Sequence, residues 1–129
     1  MTGVPDAALH SPLPVTVGRY RLQGLLGVPH DARATVIFAH GSGSGRLSPR
    51  NAHVAAGLRE AGLATLLIDL LTPGEEVDRA NVFDIALLAD RLASAAEWVA
   101  QVPGLAFLPI GYFGASTGAG AALRAAADV

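Results

Sequence analysis

Cysteine is absent from the chain. Disulfides, thiolate zinc sites and a cysteine nucleophile are thereby excluded, and a cytoplasmic location is the expectation. Charge is scarce as well: charged side chains make up 16% of the 129 residues, and nine Lys and Arg against eleven Asp and Glu leave a net charge of −2. The basic residues are scattered, so neither nucleic acid nor an anionic membrane surface is an expected partner. No apolar run reaches the roughly 18 residues a membrane span needs. Met1-Thr2-Gly3-Val4-Pro5-Asp6 has neither the basic nor the apolar region of a signal peptide. No metal or cofactor is expected.

Apolar residues are plentiful, at 51% of the sequence with a mean hydropathy of +0.42. The length suits one domain with a sizeable core. So high an apolar content with so few charges also implies surface that expects cover.

Residues 1–14 carry prolines and glycines without periodicity and read as a flexible leader before a single domain over 15–129. Val15-Thr16-Val17 and Tyr20 to Val28 read as two strands around Gly18-Arg19, the second alternating with period two. Ala34 to Ala39 and Leu63 to Ile68 are short apolar, β-branched runs suited to strands buried on both faces. Between them, Ser48 as N-cap and Pro49 at the first helical position open a helix that Gly62 stops. Thr72-Pro73-Gly74-Glu75-Glu76 reads as a polar loop, with Glu75, Glu76 and Asp78 on a solvated face. Asn81 and Asp84 resemble a capping arrangement for a long helix that ends at Pro103-Gly104. Leu105 to Phe113 reads as a further strand apolar on both faces, and the alanine-rich run from Ala119 to Ala127 as a helix. The order β-β-β-α-β-α-β-α predicts an α/β fold, a three-layer α/β/α arrangement with a mixed, mostly parallel sheet.

Gly114-Ala115-Ser116-Thr117-Gly118 lies between that last strand and the last helix. A glycine-flanked serine in a strand–turn–helix context is a nucleophile elbow, where small residues two positions either side of the serine let the turn close. Ser116 is then the candidate nucleophile, and the N–H of Thr117 one oxyanion donor. The second donor comes from the loop His40-Gly41-Ser42-Gly43-Ser44-Gly45 at the end of a buried strand. Ser42 is the choice there, with Gly41 or Gly43 close behind. The alternating glycines also permit a phosphate cradle, although the Lys-Ser/Thr end of a P-loop is missing.

His40 is expected to shape the loop; His10 and His53 read as solvated. Asp69 ends a strand on the same edge and serves either as a cap or near the site. Asp69, Arg50 and Asn51 are candidate substrate contacts; Arg46, Arg50 and Asn51, just beyond the glycine loop, could orient a substrate carboxylate or simply belong to an exposed helix start. All four histidines precede Ser116, whereas elbow enzymes place serine, acid and histidine in that chain order.

Three stretches together, His40-Gly41-Ser42-Gly43-Ser44 with Pro49-Arg50-Asn51, Leu66 to Pro73 ending a strand in Ile68-Asp69, and Gly111 to Gly118, resemble the α/β-hydrolase superfamily, specifically its dienelactone-hydrolase-like members. The resemblance runs from about Val15 to the end and would cover only the amino-terminal part of a full family domain. It implies hydrolysis of a small-molecule ester or lactone through an acyl-enzyme, with Ser116 as nucleophile and Thr117 and Ser42 as oxyanion donors. It departs at Ser116, where dienelactone hydrolases proper have cysteine. The family's acid and histidine are expected after later strands. A further expectation is an open edge at residues 105–113, paired by a missing carboxy-terminal segment or by self-association. The rival class is a non-catalytic module that assembles through that edge.

Overall fold

The computed structural model describes residues 11–40, 45–114 and 117–127. Five strands, β1 (Leu13–Val17), β2 (Leu22–Gly27), β3 (Thr35–Ala39), β4 (Ala64–Ile68) and β5 (Ile110–Gly114), form one sheet in the order β1-β2-β4-β3-β5. β1 and β2 pair antiparallel, as do β2 and β4, while β3 runs parallel to β4 on one side and to β5 on the other. In register, Ile37 stands beside Leu66 and Tyr112.

The helices are α1 (Pro49–Glu60), α2 (Pro73–Glu76), α3 (Arg79–Val82), α4 (Ile85–Val99) and α5 (Thr117–Ala127). Side chains alternate across β3, and each set meets a different layer. Phe38 packs with Leu67 and Ala55 beneath α1. Ile37 and Ala39 face Leu88, Leu92, Ala95 and Val99 of α4 and Ala121 and Ala125 of α5. Gly120 lets the last two helices approach, since a Cβ there would sit 3.1 Å from Ile85 Cδ1. The result is helix, sheet and helix in three layers.

Sequence expectations and structure part company where a local pattern meets a long-range partner. β1 begins at Leu13, inside the stretch read as a leader; Pro14 is tolerated because β1 lies at the sheet edge, where a missing N–H costs nothing. β2 begins at Leu22 because Gly18 and Arg21 both adopt positive φ and turn the chain. Tyr20 is instead drawn out of the strand, its ring under the guanidinium of Arg91 at 4.1 Å and its hydroxyl donating to Asp90 at 2.7 Å.

β5 is shorter than the apolar run that suggested it. Residues 100–108 form successive turns, with Leu105 N–H donating to Val102 O and Leu108 N–H to Leu105 O, so Leu105 is buried while Phe107 is fully exposed. Nor is β5 buried on both faces: Phe113 stays 40% exposed, stacked at 4.9 Å on Phe38.

The polar loop after β4 is helical. Thr72 caps α2 reciprocally with Glu75, whose carboxylate accepts the Thr72 N–H at 2.9 Å. Glu75 is not on a solvated face, because Arg91 donates to both its carboxylate oxygens at 2.8 and 2.6 Å. Asp78 caps α3, and the cap of α4 is Asp84, accepting from Leu87 N–H, rather than Asn81.

Candidate active site

β3, β4 and β5 run parallel, so their carboxyl ends deliver His40, Asp69 and Gly114 to one edge of the sheet. From β3 the chain crosses through α1 to β4 on one side, and β5 then lies on the other side of β3. The strand order reverses there, and in open α/β sheets ligands bind at the carboxyl ends of strands at such a reversal.

The connection after β5 is short: the strand ends at Gly114 and the helix begins at Thr117. Both glycines are demanded by close approach. A Cβ on Gly114 would lie 2.7 Å from Gly118 O and 2.9 Å from Ala119 Cα. A Cβ on Gly118 would collide with Ala39 O and stand 2.6 Å from His40 O. These neighbours are backbone and cannot rotate aside. The first turn of α5 is thus pressed against the end of β3, which is the packing an elbow requires. Ser116, Gly41, Ser42 and Gly43 lie outside the described residues, as does the side chain of Thr117.

His40 follows directly on β3 and is 7% exposed. Asn51, on the first turn of α1, approaches its Nδ1 with Nδ2 at 2.7 Å. An amide nitrogen only donates, so Nδ1 accepts and Nε2 carries the ring hydrogen. Nε2 is buried and has no partner among the described residues. Burial pushes the His40 pKa down, and the weaker opposing pull of Asp69 does not reverse it. The ring is therefore neutral at physiological pH.

Asp69 takes the other end of the glycine loop. Its Oδ1 accepts the Arg46 backbone N–H at 2.6 Å and its Oδ2 accepts Arg46 Nη1 at 2.5 Å. Ser48 caps α1 by accepting the Asn51 N–H at 3.3 Å, which orients the turn bearing Asn51. Arg50, by contrast, is exposed. Of the residues read as substrate contacts, then, Asn51 and Asp69 are engaged within the protein and Arg50 faces solvent. Neither the Asn51–His40 nor the Arg46–Asp69 contact has a sequence signature, since each joins elements distant in the chain. The Thr72–Glu75 box does: its three-residue spacing is the capping signal.

Among the described residues no group of three or more His, Asp or Glu is placed to hold a metal ion, and no helix is long and apolar enough to cross a membrane.

No family model matches the chain. Among solved structures, a dienelactone hydrolase from Anabaena variabilis is 54% identical with a TM-score of 0.83, covering 92% of this chain and 59% of its own. Est1E from Butyrivibrio proteoclasticus shares the fold at 18% identity and a TM-score of 0.72, over 92% of this chain and 46% of its own. Two Mycobacterium tuberculosis proteins, one from each of two strains and both provisionally named phosphoribosyl transferases, are 58% identical over 98% of this chain. The chain spans 30% of their length. The fold is that of the α/β-hydrolases. Within them the chain is dienelactone-hydrolase-like.

Proposed function

We propose that these residues carry the nucleophile and oxyanion half of a serine hydrolase acting on a small-molecule carboxylic ester or lactone. The observation that supports this most is the pair of glycines at 114 and 118, whose missing side chains let α5 press on the end of β3 at the reversal point of the sheet. In this reading Ser116 Oγ gives its proton to a base and attacks the acyl carbon. The oxyanion is held by the N–H of Thr117 and one from the glycine loop, Ser42 for choice. The alcohol oxygen then leaves with the proton, and water splits the acyl-enzyme, returning a proton to Oγ.

His40 has a shaping role in this reading, its ring buried and its Nδ1 held by the Asn51 amide at 2.7 Å. The base and its acid come, in this reading, from outside residues 11–127. The mycobacterial relatives' transferase name is not transferred to this stretch, because the stretch they share with this chain is the one similar to dienelactone hydrolase.

A fluorophosphonate probe tests the assignment on the full-length protein. Wild type is expected to label and Ser116→Ala not to. Equal labelling of both would remove Ser116 as nucleophile, and no labelling of either would favour the non-catalytic module.

A further inference from the structure

His40 is a buried titratable group that takes no proton step in the proposed hydrolysis. Its ring meets the first turn of α1 through Asn51. The first turn of α5 closes on the same residue, since a Cβ at Gly118 would stand 2.6 Å from His40 O. Two helix amino termini, positive by their aligned peptide dipoles, therefore adjoin the imidazole-bearing residue. The charged groups around it offer little to offset them. β3, β4 and β5 carry no charged side chain, and Tyr112 of β5 packs with the α4 and α5 cluster instead. On α1, Arg50 and His53 are exposed, as is Arg124 in the last turn of α5. Asp69 is the carboxylate that acts on the ring, and Arg46 already engages it through both its main-chain N–H and its guanidinium.

We propose that the His40–Asn51 contact is an acid-released latch between the end of β3 and the start of α1. The neutral ring holds Asn51 through a nitrogen lone pair. Once both ring nitrogens carry hydrogen, Nδ1 can no longer accept from the amide, and the Asn51 side chain has to turn over or withdraw. The proton also leaves a buried positive charge beside two helix amino termini. Burial holds the His40 pKa below its ordinary 6.5, against the pull of Asp69. The folded chain thus takes up this proton less readily than the unfolded chain does. The latch contributes fully above 6.5 and is lost as the pH falls through the lower, folded-state value. It stands independently of the hydrolase reading.

The test follows the full-length protein by NMR titration of its imidazoles and by hydrogen exchange, corrected for intrinsic rate, at the Asn51 and Ala52 amides, which bond to Ser48. In wild type the His40 ring is expected to titrate below 6.5, with the Asn51 side-chain amide shifting at the same midpoint. Protection of the two α1 amides should fall by up to about tenfold per pH unit between about pH 7.5 and about pH 5, the limit for one proton. Asn51→Asp sets a carboxylate against the ring, so the His40 midpoint should rise and protection should persist across that range. His40→Gln keeps a side-chain acceptor without a titrating ring, and its protection should not change with pH. Should that variant fail to fold, the wild-type titration and Asn51→Asp still decide. A wild-type His40 that titrates at or above 6.5, or protection that falls equally in wild type and Asn51→Asp, would overturn the latch.

Discussion

Gly118 is the residue whose replacement should be felt most. Any side chain there meets the carbonyl oxygens of Ala39 and His40, so α5 must retreat from β3 or the strand end must bend. Overpacking against side chains costs roughly 1–3 kcal/mol, and against fixed backbone the loss belongs at or above the top of that range. Gly118→Ala is therefore expected to lower stability by about 3 kcal/mol or more, read as a shifted denaturant midpoint. Gly57→Ala is the control, because nothing lies within 4 Å of a Cβ at that position. A Gly118→Ala protein as stable as that control would refute the contact.

At the scale of elements, the strut between α2 and α4 sets an acid limit. Arg91, the Thr72 N–H and the Thr72 hydroxyl hold the Glu75 carboxyl at about 2, below its ordinary 4.5, with the guanidinium contributing most. The folded state thus binds the Glu75 proton less readily than the unfolded chain does. Its stabilisation is complete above pH 4.5 and lost as the pH falls toward about 2. Denaturant midpoints of wild type and Glu75→Gln should differ at pH 6 and converge toward pH 2.5, pH values chosen at about the edges of that window. A gap that stays constant across it would assign the effect to the capping box rather than to charge.

The same strut shows what local pattern can and cannot disclose. Ser48-Pro49, the β-branched run of β3 and the paired glycines at 114 and 118 each state their structure within a few residues, and the fold follows them closely. Tyr20 and Glu75 do not, because what decides their places is Arg91, far along the chain, and a solvated residue looks no different in sequence from one awaiting a buried guanidinium. The start of β5 was hidden for another reason: hydrophobicity continues through residues 105–108, but Gly104 with positive φ and Pro109 break the backbone. At the site, the need for small residues at 114 and 118 was legible, and the Asn51–His40 and Arg46–Asp69 contacts were not.

Taken whole, the molecule presents β5 at the end of the described sheet, bonded to β3 on one side only. On β5 itself Phe113 is 40% exposed, and on α5 Leu123 is 75% exposed. An edge of that kind pairs with another chain unless it is covered. The 129-residue polypeptide expressed by itself should associate with rising concentration in size-exclusion chromatography with light scattering. Gly111→Lys should reduce this, since a Cβ at Gly111 meets nothing within 4 Å and a charge there disfavours edge pairing. A wild-type chain that remains monomeric throughout would end the expectation of edge-mediated assembly.

The press of Gly118 on Ala39 also has a bearing on time. Its two halves follow the first and the last of the parallel strands in chain order, and they meet only once β5 has docked on β3. Contacts between segments distant in sequence form late, after the entropy of closing the intervening chain has been overcome. The junction of β5 and α5 is therefore completed with the last of the sheet, and a half-folded chain, however helical, has not yet brought α5 against the end of β3.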